Sequence, residues 1–260
     1  MKNDLPSASQ NQLKRWARLS DAKFRRDDGS FLAEGIKVVE ELLKSAWPIE
    51  ALLVLPEKNR YWEELVGPVK DRHPVYPLTR SQWKKLSQDK EPEGLIAIVK
   101  NKKPPSFPEW LKSAEGHVLI GYQISNPQNL GALMRSAYWF GFGDLLLGGG
   151  SVDWQHPKVI RASMGALFHL RILADVDIAA ALPAIRKNYV VIGSDVRQGL
   201  APHPLAPRGA LLVGSESHGL PADLLEQSSE RWRISGNGRS DSLSLPQAAA
   251  IMMYEMTKKE

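Results

Sequence analysis

Apolar positions along the chain change their spacing several times, and each change predicts an element. Residues 10–28 are polar and basic, and read as one helix ending near Asp27-Asp28-Gly29. After Phe31-Leu32-Ala33-Glu34-Gly35, the stretch Ile36 to Ser45 puts Val38, Val39, Leu42 and Leu43 on one face at helical spacing. Ala51 to Leu55 is a short apolar run between Pro48 and Pro56, which predicts a buried strand. Leu95 to Val99 is a second such run, following the turn-rich Glu91-Pro92-Glu93-Gly94. Together these pieces predict a small α/β domain. Asn101 to Pro108 then carries three prolines and two lysines, the composition of a semi-rigid linker. The expected domains are therefore 1–103 and 104–260.

The second part alternates. Strands are predicted at Val118–Ile124, Asp144–Leu147, Tyr189–Gly193, Ala210–Val213 and Arg231–Ile234. Helices are predicted at Leu130–Phe140, Pro157–Leu167, Ile178–Lys187, Pro221–Glu226 and Pro246–Thr257. Near-continuous Val, Ile and Leu in strands that alternate with helices specify an α/β class with a parallel sheet covered on both faces. Ligands of such sheets bind beyond the carboxyl ends of the strands. That rule selects the loops at 125–131, 214–220 and 235–245.

Composition narrows the class of function. Hydrophobic residues are 43% and charged residues 24% of 260, the mixture of an ordinary water-soluble domain protein. No apolar run approaches the roughly 18 residues of a membrane span, and the first residues lack the apolar core of a secretory signal, so a cytoplasmic protein without a membrane partner is expected. The absence of cysteine excludes disulfides, thiolate metal sites and cysteine nucleophiles. The six histidines lack the short pairings of a zinc site, so no metal is expected. Residues 1–105 hold 20 basic against 15 acidic groups, whereas residues 106–260 balance at 14 of each, so the net charge of +5 belongs to the N-terminal part. Seven of the basic groups (Lys2, Lys14, Arg15, Arg18, Lys23, Arg25, Arg26) fall in the first 26 residues. Such a concentration fits either a phosphate-binding arm or a solvated helix face.

Each selected loop carries unusual residues. In the first, Asn129 precedes the predicted helix and can cap it, while Arg135 sits six residues on among small and apolar neighbours. A snorkelling arginine fits that placement, and so does one that grips phosphate or carboxylate with its fixed donors. In the second, a strand runs into Gly214-Ser-Glu-Ser-His-Gly219. Glycines there let backbone approach a ligand, and Glu216 can otherwise complement a helix dipole. A serine-hydrolase elbow fails because position 215 is Ser where that motif needs Gly, and His218 adjoins Ser217 in sequence. Gly141-Phe142-Gly143 lacks the third glycine of a dinucleotide fingerprint. The third loop, Ile234 to Leu245, is polar, contains Gly236 and Gly238, and leads to a helix beginning with Pro246 and carrying Ala248, Ala249 and Ala250; alone it also fits an ordinary strand–loop–helix connection.

In order and separation, the three segments resemble the motifs of the SpoU (TrmH-like) family of RNA ribose 2′-O-methyltransferases in the SPOUT superfamily. Asn129…Arg135 resembles the first motif, Gly214 to Gly219 the second, and Ile234…Ser242-Leu243 with its Ala-rich helix the third. Lys158-Val-Ile-Arg-Ala-Ser-Met-Gly-Ala166 is similar to an intervening stretch, and Phe31 to Lys37 resembles the start of the family's ribosomal-protein-like substrate-binding domain. The resemblance implies a C-terminal knotted parallel-sheet domain with a deep trefoil knot, a homodimer, and S-adenosylmethionine as cofactor. It implies that Gly214, Ile234 and Leu243 contact the cofactor, that Arg135 acts at the ribose, that Asn129 and Glu216 shape the active site, and that Ser242 lines it. The implied RNA is ribosomal, with transfer RNA next. Lys14, Arg15, Arg18, Lys23, Arg25 and Arg26 are then the expected RNA-binding cations. The chain reads Ser242-Leu243-Ser244-Leu245 where the family usually reads Ser-Leu-Asn-Val, and carries Ser235-Gly236 and Pro246 in place of the usual residues. That departure bears on catalytic geometry and keeps a catalytically weakened RNA-binding or ribosome-assembly protein as the alternative.

Overall fold

The computed structural model describes residues 5–87, 89–206, 208–239 and 241–258, so Lys2 of the basic arm lies outside the described residues. In chain order the first elements are α1 (Gln10–Ala17), α2 (Ala22–Asp28), β1 (Ser30–Glu34), α3 (Ile36–Leu43), β2 (Ile49–Val54), α4 (Asn59–Val66), β3 (Val75–Pro77), α5 (Arg80–Trp83) and β4 (Leu95–Lys100). There follow α6 (Phe107–Ser113), β5 (Val118–Gly121), α7 (Pro127–Trp139), β6 (Asp144–Gly148), α8 (Pro157–Ala162), β7 (Arg171–Val176), α9 (Ile178–Ile185), β8 (Val190–Ser194), β9 (Gly209–Val213), α10 (Ala222–Glu226), β10 (Glu230–Trp232) and α11 (Leu245–Thr257).

These elements form two compact units. The first is the chain up to Lys103 together with Gln155–Phe168; the second is Pro104–Trp154 with the chain from His169 onward. The second unit is thus discontinuous, because the segment holding α8 packs with the first.

The first unit is built on a four-stranded sheet of order β1-β4-β2-β3, antiparallel except for β2 beside β3. Its N-terminal segment is two helices and not the single helix expected. Ser9 and Gln12 form a capping box that starts α1, a 3-10 turn over Arg18–Ser20 breaks the run, and Asp21 caps α2 through Phe24 N–H at 2.8 Å. Leu13, Trp16 and Leu19 project from this pair into a core with Leu32, Leu53, Ile96 and Ile98. The basic segment is therefore part of the core. Trp16 is fully buried, and Trp16→Ala is expected to lower unfolding free energy by about 3–5 kcal/mol. Urea denaturation checks this; an unchanged midpoint would make the helix pair an appendage.

The second unit holds six parallel strands in the order β10-β8-β9-β5-β6-β7. All five strands expected from the sequence are present with shifted ends, and β7 is additional. As an edge strand β7 is only partly buried and alternates Arg, Ile, Leu, Ala and Asp, which hides it from a search for continuous apolar runs. Part of the expected linker is α6: Ser106 and Glu109 form its capping box, Pro108 sits in its first turn, and Trp110 is fully buried. α4 was likewise unassigned from sequence. The helix predicted over 157–167 stops at Ala162, because Met164 and Gly165 take positive φ (51° and 86°). A Cβ on Gly165 would lie 2.6 Å from that of Glu41, so glycine also permits a close approach there. No helix among the described residues is long and apolar enough to cross a membrane.

Candidate active site

Because all six strands are parallel, their carboxyl ends share one edge of the sheet, and the three selected loops leave from that edge at Gly121, Val213 and Trp232. The first two loops are tied together by one carboxylate. Glu216 accepts from the backbone N–H of Asn126 (3.1 Å) and of Ser125 (3.2 Å), from the Ser125 hydroxyl (3.2 Å), and from Asn129 Nδ2 (3.1 Å). Burial alone would push the Glu216 carboxyl up, but the donors from backbone and Asn129 outweigh it and hold the group below the ordinary range. A carboxyl depressed in the folded state stabilises above its unfolded value and loses that contribution as pH falls. The loop is thus expected to loosen below about pH 4, near the free glutamate value. Faster amide exchange at Asn126 and Ser125 in acid would record this; exchange that does not change with Glu216 ionisation would contradict it.

Asn129 does not cap α7. The helix begins at Pro127, and Asn126 caps it by accepting from Gln128 N–H (2.8 Å) and Asn129 N–H (3.3 Å). Asn126-Pro127 is itself a start signal, a short polar cap followed by proline in the first turn, three residues before the Asn129 expected from the sequence. The shift frees the Asn129 amide to reach Glu216. Ser125 and Asn126 are therefore site residues that the sequence reading missed.

Gly214 follows β9 directly and packs against the turn it starts. Gly219 N–H donates to Ser215 C=O at 2.9 Å, His218 N–H to Ser215 Oγ at 3.2 Å, and Gly219 takes φ 67°. A Cβ on Gly214 would lie 2.2 Å from the carbonyl carbon of Gly219 and 2.4 Å from Leu220 N, so no side chain fits. The turn presents bare backbone at the sheet edge, directly before the carboxylate that orders the neighbouring loop.

In the third loop, Ile234 is half-buried, Ser242 exposed, and Leu243 47% exposed. Ser240 lies outside the described residues. Ser244 occupies the N-cap position of α11, yet its hydroxyl donates to Gln247 Oε1 (2.9 Å) and makes no backbone cap. The site departs from the family pattern at this position. Arg135 lies on the exposed side of α7, opposite Leu130, Leu133, Met134 and Ala137, and no contact among the described residues joins it to Asn129 or Glu216. The structure therefore brings together Asn129 and Glu216, with Gly214 adjacent in the chain, and leaves the Arg135 guanidinium unengaged.

Two of the six expected RNA-binding cations are committed within the fold. Arg25 is 1% exposed and donates to the carbonyls of Leu19 (3.0 Å) and Ser20 (2.9 Å). Arg15 donates to Asp28 (2.6 and 2.7 Å) and to Glu50 (2.5 and 3.0 Å), which pulls both carboxyls below their usual range. Arg15 ties the helix pair to the sheet through Glu50, and Arg25 braces the turn between the two helices. Lys14, Arg18, Lys23 and Arg26 are exposed.

The edge suits an adenosine-bearing cationic ligand on its own chemistry. It offers the exposed turn 216–219 that Gly214 packs against, exposed apolar surface at Leu243, partly covered surface at Ile234, and the Glu216 carboxylate on the same turn. Among the described residues no cluster of three or more His, Asp or Glu could hold a metal ion.

Residues 116–254 match the SpoU rRNA Methylase family, and residues 10–97 match the MRM3-like substrate binding domain. The chain is 27% identical over 255 residues to the 23S rRNA (guanosine(2553)-2'-O)-methyltransferase RlmP of Bacillus subtilis, covering 97% of this chain and 98% of that one. A solved structure of a TrmH-family protein from Porphyromonas gingivalis superposes with a TM-score of 0.81 at 28% identity, covering 96% and 98% of the two chains. The fold is also that of the SpoU methyltransferase AviRb from Streptomyces viridochromogenes, solved with S-adenosylmethionine (TM-score 0.83, 21% identity, 96% and 97% covered). With more than half its length inside the family match, and with the motif loops gathered at one sheet edge, the chain belongs to the SpoU rRNA methylase family of RNA methyltransferases.

Proposed function

We propose that this protein methylates a ribose 2′-hydroxyl in structured RNA, ribosomal RNA of the large subunit before transfer RNA, with S-adenosylmethionine as methyl donor. The observation that carries this reading is the Glu216 clamp, which joins the first and second motif loops beside the unsubstitutable Gly214. When bound, the sulfonium supplies an electrophilic methyl group. Gly214, Ile234 and Leu243 hold the adenosine portion, Asn129 and Glu216 fix the loop that faces the ribose, and Ser242 lines the same opening. A ribose hydroxyl is a poor nucleophile at neutral pH and needs its developing anion stabilised. A guanidinium offers five fixed N–H donors and no acceptor, so Arg135 acts as a clamp on the phosphate and the developing oxyanion and not as the base. Ser244, with its hydroxyl on Gln247, is the one feature favouring a weakened, RNA-binding role.

The domain roles follow: residues 1–103 bind RNA and residues 104–260 carry the chemistry, folded with a deep trefoil knot near the C-terminus. Two copies pair through the faces of α7 and α11, which leave Tyr138, Trp139, Ile251 and Tyr254 exposed, Trp139 by 82%. A monomer mass by light scattering would remove that element. Lys14, Arg18, Lys23 and Arg26 contact phosphate. Changing all four to Gln is expected to weaken RNA binding and to reduce the slope of log affinity against log salt by about 3, near 0.7–0.9 per phosphate contact. An unaltered slope would take the helix pair out of the RNA interface.

A further inference from the structure

The first unit contains a cavity of about 270 Å³ that none of the motif loops reaches. Its floor is apolar, formed by Leu32, Leu86 and Ile96. Its polar wall is Glu34 and Arg161, with Lys158 beside them. The wall is rigidly built. Arg161 Nη2 donates to Glu34 at 3.0 Å and Nη1 pairs with Asp89 at 3.1 Å, while the Ser87 hydroxyl donates to the other oxygen of Glu34. The Glu34 side chain is 13% exposed, so the carboxylate is largely desolvated yet fully bonded, and it fixes the arginine in place. Lys84, Lys85 and Lys90, on the same segment as Leu86 and Asp89, are exposed, as is Lys158. None of these four lysines forms an ion pair among the described residues.

From this we infer that the cavity is a binding pocket for one unstacked nucleobase of the RNA substrate, with the flanking phosphates on the surrounding lysines. The inference rests on the RNA reading above and adds a recognition site to it. The volume lies just below the roughly 300–1,000 Å³ of sites for drug-sized ligands, which suits a single heterocycle. Sequence-selective RNA recognition works on splayed-out bases, which stack on apolar or guanidinium planes and bond along their edges. A guanidinium held by two carboxylates offers such a plane at no further ordering cost, since its rotamer is already set. The apolar floor excludes water from one face of the ring. Glu34 and Asp89 are already engaged by Arg161 and Ser87, so Lys158 is the unpaired charge that lines the cavity. Lys84, Lys85 and Lys90 outnumber the exposed Glu91 on the neighbouring segment, a balance that favours an anionic chain over a free neutral base.

The test is titration of the full-length protein with the four ribonucleoside 5′-monophosphates and, separately, with ribose 5-phosphate, followed by backbone amide NMR shifts. Nucleotides are expected to shift Glu34, Leu86 and Arg161 amides saturably, with one base preferred and ribose 5-phosphate far weaker. Lys158→Glu is expected to weaken that binding about fivefold, the size of one exposed charge contact, and to leave the melting temperature unchanged. A second variant, Leu86→Trp, fills the floor and is expected to abolish the shifts, its fold being checked by the retained amide spectrum of first-unit residues away from the cavity, on β2 and β3. No saturable shift with any nucleotide overturns the pocket. Equal shifts with ribose 5-phosphate overturn base recognition, leaving phosphate attraction only. The readout involves no methyl transfer, so nucleotide binding without transfer would count against the proposed reaction and not the pocket, and transfer without nucleotide binding would do the reverse.

Discussion

Gly214→Ala is expected to remove cofactor binding altogether while the first unit stays folded. The added methyl would stand 2.2 Å from the Gly219 carbonyl carbon and 2.4 Å from its oxygen, both backbone atoms held by the Ser215–Gly219 turn. Flexible side chains yield to such crowding, whereas backbone in a closed turn moves only by breaking the turn. Overpacking of this kind costs typically 1–3 kcal/mol, and here the displaced segment includes Glu216. Losing the turn therefore also releases Ser125, Asn126 and Asn129 from their shared acceptor. Calorimetric titration with S-adenosylmethionine checks the outcome. Wild-type affinity in the alanine variant would mean that the turn relaxes freely and that its geometry does not make the site.

Arg135→Ala is expected to act in the opposite way, lowering transfer by roughly a hundred- to thousandfold, as for loss of one oxyanion donor, with cofactor affinity nearly unchanged. Arg135 lies on the exposed side of α7 and contributes nothing to the core made by Leu130, Leu133, Met134 and Ala137, so its removal should not disturb the fold. Arg135→Lys should recover little, because an ammonium cannot reproduce the planar fork that meets phosphate oxygens in pairs. Single-turnover rates beside cofactor titration separate the two effects. Equal loss of rate and cofactor binding would show that the arginine organises the cofactor pocket instead.

Much of this architecture was legible from apolar spacing. The strands β5, β6, β8 and β9 are largely buried runs dominated by Val, Ile, Leu and Ala and carry the sheet's centre, and runs of that kind leave a plain signal; the edge strand β10 is short and buries only Trp232. What escaped notice has local causes. The edge strand β7 alternates polar and apolar residues, and α6 begins inside a proline-rich stretch whose prolines suit a helix start as well as a linker. The motif residues were found as a set, but their bonding was not. Whether Asn126 or Asn129 caps α7 depends on where the helix starts, and a shift of three residues decides which side chain is left for Glu216. Net charge misled at Arg15 and Arg25 for a related reason. A count of cations cannot distinguish a guanidinium facing solvent from one buried against carbonyls or salt-bridged to Asp28 and Glu50, since these partners lie up to 35 positions away.

The most direct test of the whole account is transfer of labelled methyl from S-adenosylmethionine to unmodified ribosomal and transfer RNA, followed by digestion and separation of the nucleosides. The account predicts label in one 2′-O-methylated nucleoside from ribosomal RNA, appearing roughly a hundred- to thousandfold more slowly with Arg135→Ala. Label in a base-methylated nucleoside, or no label from a protein that binds both cofactor and RNA, would contradict it.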